Sequence, residues 1–249
     1  VRVLVGCESS GVTREAFRRH GHEAYSCDLL PADDGSPFHI QDDVLVVMKG
    51  DWDLAIFHPD CTYLTVSAEW CYKDDTGKKM KPGTLFGAER REAREEALEF
   101  VRKLDDAPIE KIAIENPPGV IGTRIRPADQ WLQPYEFGHD ASKKTGLWLK
   151  NLPPIVKDPK NFVEPRWVCC GEVLDIELVG RYGCPNCLGE RRPLPRWANQ
   201  TNAGQNRLGP SDDRWKERAR TYDGVGEAWA TQWGGSEVEV DPVQRSLDL

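Results

Sequence analysis

A chain of 249 residues is long enough for one large α/β domain, or for such a domain carrying a small appendage. Hydrophobic residues make up 39% and charged residues 30%, no apolar run approaches membrane-spanning length, and the first ten residues carry no secretory pattern, so the expectation is a globular cytoplasmic protein with no membrane partner. The net charge of −8, from 33 basic and 41 acidic side chains, argues against a protein that coats nucleic acid by phosphate neutralisation, while leaving local basic surfaces open.

In chain order, Arg2–Gly6 reads as a short buried strand ending in glycine, followed by a helix at 11–20 with Val12, Ala16 and Phe17 on one face. Glu23–Cys27 reads as a second strand that ends at Asp28. Asp53–Phe57 and Ile109–Glu115 are two further clear strands, separated by a helix at 86–105 whose apolar face carries Ala93, Ala97, Val101 and Leu104. Strands are expected at Gln133–Phe137 and Gly146–Lys150, and a last helix at 223–233 stops at Gly234-Gly235. Strands alternating with helices predict a doubly wound, mostly parallel sheet, which binds ligands at the carboxyl ends of its strands. The domain reading is 1–162 and 205–235 as one unit, 163–204 as an insert, and 236–249, with four acids and one Arg, as a disordered tail.

Gly6, Asp28, the segment 58–61 and Glu115 all fall at strand ends. Val5–Gly11 is a strand–turn–helix with glycines at its two bends, which suits close approach of a ligand but is common in α/β proteins with nothing bound. An acid at Asp28 can hydrogen-bond a ribose diol or lie solvated in a loop; Asp43, followed by Val44, could reach an adenine amino group. Cys61, in His58-Pro59-Asp60-Cys61-Thr62, sits where a nucleophile would, although a free cysteine is more commonly an inert buried thiol. If it is a nucleophile, cations or helix dipoles are expected to lower its pKa. Glu115, in Glu115-Asn116-Pro117-Pro118-Gly119, should lie beside it on the adjacent strand. Thiolate and carboxyl together suit addition to an electron-poor ring, with the carboxyl protonating a ring nitrogen.

Eight cysteines in such a chain point to metal or catalysis rather than disulfides. Cys184-Pro-Asn-Cys187, bracketed by glycines, has the spacing of a zinc ribbon, and Cys169-Cys170 offers an irregular second half, so a structural Zn2+ held by Cys169, Cys170, Cys184 and Cys187 is expected. Residues 190–220 carry eight Arg or Lys against four acids, and 73–81 carry four Lys against two Asp. Amides and arginines read base edges, so Arg196, Asn202, Gln205, Asn206 and Arg207 are candidate nucleic-acid contacts, and Lys78 and Lys79 lie on a basic segment with Gly77 and Gly83 nearby. The bland alternatives are an arginine-rich connector that packs its tryptophans on the core, and an ordinary surface loop.

The order of a Gly-rich first turn, an acid after the second strand, Asp43-Val44, a Pro-x-Cys and a Glu-Asn resembles the DNA cytosine C5 methyltransferases, in particular the short forms found in phage genomes. The resemblance spans about 1–150 and resumes at Thr221–Trp233. It implies a Rossmann-like class I methyltransferase fold, S-adenosyl-L-methionine as methyl donor, and a target cytosine flipped out of DNA. By the same resemblance, Cys61 adds at C6, Glu115 acts at N3, and Lys144 or Lys143 stands where the family places arginines and would bind O2 of the base or a flanking DNA phosphate. The segment with Lys78 and Lys79 then resembles the mobile loop that closes over DNA, with Gly77 and Gly83 as hinges. The cofactor would be held by Gly6, Cys7, Glu8, Ser9, Gly11, Asp28, Leu29, Asp43, Val44, Pro59, Tyr222 and Gly224. The chain departs from the family in Asp60-Cys61-Thr62 for Pro-Cys-Gln and in Pro117 for Val. Rival readings are an amino-methyltransferase built on Asn116-Pro117-Pro118, an alkyl transferase that uses a modified sulfonium donor or acts on free nucleotide, and a non-catalytic zinc-ribbon DNA-binding module.

Overall fold

The computed structural model describes residues 1–66, 68–75, 77, 79, 82–175, 184, 186–187 and 192–235. The expectations placed on Lys78 and on the acidic tail 236–249 lie outside the described residues.

Five parallel strands carry the fold: β1 (Arg2–Gly6), β2 (Glu23–Asp28), β3 (His39–Gln41), β4 (Leu54–Phe57) and β5 (Lys111–Asn116). With β6 (Gln130–Leu132) and β7 (Thr145–Lys150) they form a sheet of order β3-β2-β1-β4-β5-β7-β6, in which β7 runs antiparallel to β5 and β6. The strands bury both faces. Val3, Val5, Leu54, Ile56 and Ala113 face one core, while Leu4, Ala55, Phe57, Ile112 and Ile114 face the other. Such strands read as unbroken apolar runs because a parallel sheet has no solvated face.

Helices α1 (Val12–Arg19) and α6 (Asp223–Trp233) cover the first face through Ala16, Phe17, Val225, Trp229 and Trp233. The second face is covered by α2 (Val44–Val47), α3 (Gly87–Asp105) and α4 (Ile121–Arg124), through Val44, Leu98, Val101, Leu104 and Ile121. Strand order reverses between β1 and β4, where Gly6 pairs with Phe57. The loops that follow these two strands therefore diverge around a crevice, the usual ligand position in an open α/β sheet.

One expected strand is corrected. Gln133–Phe137 is not extended: the strand lies earlier, at Gln130–Leu132, and Pro134–Phe137 forms a 3-10 turn. Pro134 has no N–H for a ladder, and Gln133 and Glu136 close a reciprocal capping box around the turn. A second, three-stranded antiparallel sheet is built from β8 (Arg166–Cys169), β9 (Glu172–Leu174) and β10 (Leu194–Arg196), in the order β10-β8-β9. The short helix α5 (Arg214–Ala219) leads into α6.

Candidate active site

The crevice begins at the turn after β1. Cys7 and Gly11 both adopt positive φ, 60° and 71°, which swings the chain into α1. A side chain on Gly11 would strike the guanidinium of Arg14, and one on Gly6 would lie 2.6 Å from both Phe57 and Val44. Gly6 and Val44 thus meet in packing below the crevice. Glu8 is buried, and its carboxylate accepts from the backbone N–H groups of Thr13 (2.9 Å) and Arg14 (3.3 Å), so it caps α1. Asp43 does the same for α2 through Leu45 N (2.8 Å). Ser9 donates to Asp33 (3.3 Å).

Asp28 ends β2, its carboxylate accepting from Leu30 N (2.9 Å), and the neighbouring Leu29 is 72% exposed. Burial pushes the Cys7 thiol far up, helped by Asp28, Cys27, Asp43 and Asp60, so three carboxylates act on this end of the sheet.

The loop after β4 is pinned at several points. His58 N donates to Gly6 O across the strand reversal (3.0 Å), and the Asn116 side-chain amide donates to Pro59 O (2.8 Å). Asp60 accepts from both the N–H and the hydroxyl of Thr62, at 2.9 and 2.7 Å, while Cys61 O accepts from Leu64 N and Thr65 N. The two residues that depart from the Pro-Cys-Gln pattern therefore bond each other and form the turn that presents Cys61. Arg90 and Arg94 of α3 reach beneath this turn to Thr62 O (3.2 Å) and Tyr63 O (3.0 Å).

Gly119 approaches the same turn from the other side. Val120 N donates to Leu64 O (2.8 Å), and a Cβ at Gly119 would lie 2.0 Å from that carbonyl. Gly119→Ala should therefore displace the Cys61 turn and cost about 1–3 kcal/mol of stability, the usual penalty for overpacking. Chemical denaturation measures it, and a variant as stable as the wild type would contradict the close approach.

Glu115 leaves β5 toward the α1–α6 face. Its carboxylate meets His58 Nδ1 at Oε2 (3.2 Å), and it lines a cleft with Lys143, Thr145, Gln133, Tyr222 and Trp229. Burial alone would raise its pKa. The His58 hydrogen bond, the charges of Lys143 and His58 and the Thr145 hydroxyl outweigh that, and the carboxyl is held below its ordinary range. Cys61 and Glu115 are close enough for each charge to act on the other. The expectation of a lowered thiol pKa is corrected: burial raises it, Asp60 and Glu115 add to the rise, and Lys143 opposes them. The resting protein thus favours thiol beside carboxylate.

The lysine at the site is Lys143 rather than Lys144. Lys143 acts on both Cys61 and Glu115, and its Nζ donates to the carbonyls of Ala219 (3.1 Å) and Arg220 (3.2 Å). Lys144 instead places its ammonium 4.7 Å from the centre of the Trp131 ring. Tyr222 lines the cleft, whereas Gly224 is a packing residue: its N–H donates to His139 (2.8 Å), and a side chain there would lie 2.2 Å from Phe137 O. His58, Gln133, Thr145 and Trp229 escape the sequence reading, though His58 stands three residues before Cys61.

Four cysteines converge at the end of the small sheet. The sulfurs of Cys169, Cys170, Cys184 and Cys187 all lie within 4.8 Å of one another, with Cys169 3.9 Å from Cys170 and 3.7 Å from Cys187. A tetrahedral Zn–S bond of about 2.3 Å requires sulfur–sulfur edges of about 3.8 Å, so the donor set fits zinc. Adjacent cysteines can share one centre because Cys170 and Gly171 take positive φ, 53° and 84°, and fold the chain back on itself.

The amide- and arginine-rich loop is largely bonded to itself. Arg196 donates to Asn202 O (3.2 Å), the Asn202 amide to Gly171 O (2.7 Å) and Arg207 to Gln200 O (2.8 Å), while Asn206 accepts from Leu208 N (2.8 Å). These four residues shape the loop; Asn206 and Arg207 are exposed all the same, as are Gln205 and Lys79. Trp197 stacks on Tyr135 with centroids 3.9 Å apart, and Asn199 makes a two-way bond with the backbone of Ser142, 2.9 Å in each direction.

Among the described residues no helix is long and apolar enough to cross a membrane. No family model matches the chain, and no curated protein matches it. Among solved structures, the chain is similar to an E. coli prophage-encoded protein described as a DNA modification methyltransferase, at 14% identity and a TM-score of 0.38. The superposition covers 60% of this chain and 46% of that one, so the chain matches less than half the length of its structural neighbour. So loose a likeness carries no argument about this chain's chemistry.

Proposed function

We propose that this protein transfers a methyl group from S-adenosylmethionine to C5 of cytosine in DNA. The observation that carries the reading is the pairing of Cys61 with Glu115, presented by the loops and ends of adjacent parallel strands and both under the charge of Lys143. Cys61 passes its proton to Glu115 and adds as the thiolate to C6 of the flipped base while Glu115 protonates N3, which turns C5 into a nucleophilic enamine carbon. Lys143 stabilises the thiolate and offsets the negative charge at the site. S-adenosylmethionine, when bound, supplies the activated methyl group. After transfer, the C5 proton passes to water, the C5–C6 double bond re-forms and expels Cys61, and Glu115 recovers its proton from N3.

The crevice suits that donor. It lies where strand order reverses, with Asp28 in reach of a ribose diol, exposed Leu29 beside it for an adenine face, and Asp28, Asp43 and Asp60 complementary to a sulfonium cation. Residues 163–204 form a small zinc-held module in this reading, with the four cysteines as metal ligands.

Asn116 weighs against the amino-methyltransferase alternative. It is 1% exposed, its amide is bonded to Pro59 O, and it pairs with Gly146 on the sheet face opposite Glu115. One observation favours a free cytosine nucleotide as substrate: of the five candidate base readers, Arg196, Asn206 and Arg207 are bonded within their own loop and Asn202 is bonded to Gly171 O in the turn after β8.

The test is mechanism-based trapping. Duplex DNA containing 5-fluorocytosine, with S-adenosylmethionine, should leave a covalent adduct on the peptide that carries Cys61. No adduct on DNA or on 5-fluorodeoxycytidine monophosphate would end the cytosine reading; an adduct on the nucleotide alone would move the substrate from polymer to monomer.

A further inference from the structure

His58 has no part in the sequence-based site, yet it is held from several sides. Its backbone N–H is fixed to Gly6 O, its ring packs on Trp229 with centroids 5.8 Å apart, and its side chain is 10% exposed. Nδ1 meets Glu115 Oε2 at 3.2 Å. Nε2 is buried and, among the described residues, has no hydrogen-bond partner; the indole nitrogen of the adjacent Trp229 is in the same position.

Those facts select a tautomer. A proton on Nε2 would be a buried donor without an acceptor, at a cost of about 1–3 kcal/mol, and more if the ring were cationic. Either neutral tautomer leaves Nε2 unpaired, so the choice is made at the other nitrogen: an ionised carboxylate only accepts, and Nδ1 meets Oε2 at 3.2 Å as the protonated donor. An oxygen that already accepts from an N–H facing it cannot carry an acid proton in that direction.

We propose that His58 is a positioning residue: its Nδ1–H holds Glu115 Oε2 as an acceptor and leaves Oε1 as the oxygen that exchanges a proton with the base. This rests on the reading of Glu115 given above. The resting pair is thiol and carboxylate, so the Cys61 S–H bond breaks first and its proton goes to Oε1. As the thiolate sulfur bonds to C6, the Oε1–H bond breaks and the N3–H bond forms; on elimination N3 returns the proton to Oε1 and from there to the released thiolate. The proton that reaches N3 is thus the one Cys61 gave up, and His58 keeps its Nδ1–H on Oε2 throughout. The groups facing the pair are Cys61 and Asp60 from the loop after β4, Lys143 and Thr145 at the entry to β7, and Tyr222 before α6.

Three replacements test the assignment. Asparagine puts an amide N–H near the place of Nδ1, glutamine puts it near Nε2, and leucine removes it. Single-turnover methyl transfer by His58→Asn should stay close to wild type, while His58→Leu and His58→Gln should fall by about 10²-fold with KM unchanged. The pH–rate limb that belongs to Glu115 should move to higher pH in His58→Leu and stay in place in His58→Asn, because the hydrogen bond is what chiefly offsets burial of the carboxyl. Equal loss in His58→Asn and His58→Leu, or a limb that does not move, overturns the proposal. Should His58→Leu fail to fold, the two amides decide it, and equal rates for them overturn it. Trapping of wild-type Cys61 by 5-fluorocytosine separates the outcomes: without the adduct the cytosine reading falls, and with it only the role of His58 is at stake.

Discussion

Replacing Glu115 with glutamine should move two rates in opposite directions. Methyl transfer should slow by about 10²–10⁴-fold, the usual loss when a positioned acid is removed. Alkylation of Cys61 by iodoacetamide in the free protein should become faster. The sign follows from what sets the thiol: burial first, then Asp60 and Glu115, all raise its pKa, and Lys143 alone among the neighbouring charges lowers it. Glutamine keeps the shape of Glu115 and removes its charge, so more thiolate is present at a given pH. Lys143→Met should do the reverse and slow alkylation, while Lys144→Ala, whose ammonium rests on Trp131, should leave it unchanged. Of the other thiols near the site, burial holds Cys7 far up and Cys27 at about 11. Peptide mass spectrometry across pH assigns the label. Slower alkylation in Glu115→Gln, or equal effects of the two lysine changes, would show that the charges around Cys61 are not arranged as described.

Removal of the metal should have the second large effect. The four cysteine sulfurs lie within 4.8 Å of one another, and binding zinc to such a set is worth about 10–16 kcal/mol near neutral pH, free energy that acts as folding free energy for the module. Purified protein should contain one zinc per chain. Cys184→Ser, in which a fully buried ligand is lost, should release it and open residues 163–204 to protease while the seven-stranded sheet still melts cooperatively. Metal analysis and limited proteolysis read this out. A chain that purifies without zinc, or a Cys184→Ser variant as protease-resistant as the wild type, would remove the metal from the account.

The parts of the fold most legible in the sequence were those that physics writes locally. Buried parallel strands leave apolar runs, and the helix 86–105 leaves a 3.6-residue stripe, although Leu98, absent from the expected face, is its most buried residue along with Leu104. β3 left no such run: its three residues, His39–Gln41, are none of them buried, and the strand exists through pairing with β2. Cys61 and Glu115 could be placed because each follows a strand end. The choice between Lys143 and Lys144 could not, since neighbours at the entry to an extended strand point to opposite sides and the sequence does not say which side holds the site. The amides of 199–206 were readable as hydrogen-bonding groups, but whether their partners lay outside or within the loop depends on chain reversals that leave no local pattern. His58 was hidden for a different reason. Its importance comes from the orphaned Nε2 and the contact with a residue 57 positions away, and both are properties of packing.

The two-way bond between Asn199 and Ser142 has a consequence for how the two sheets share control. β10 runs beside the cysteine-bearing β8, and three residues past its end Asn199 grips the backbone next to Lys143. The cation that faces Glu115 and Cys61 is thus tethered outside the large sheet, on a lever whose fulcrum is the Trp197–Tyr135 stack. A displacement of the small sheet therefore reaches the backbone beside Lys143 through two hydrogen bonds, those between Asn199 and Ser142.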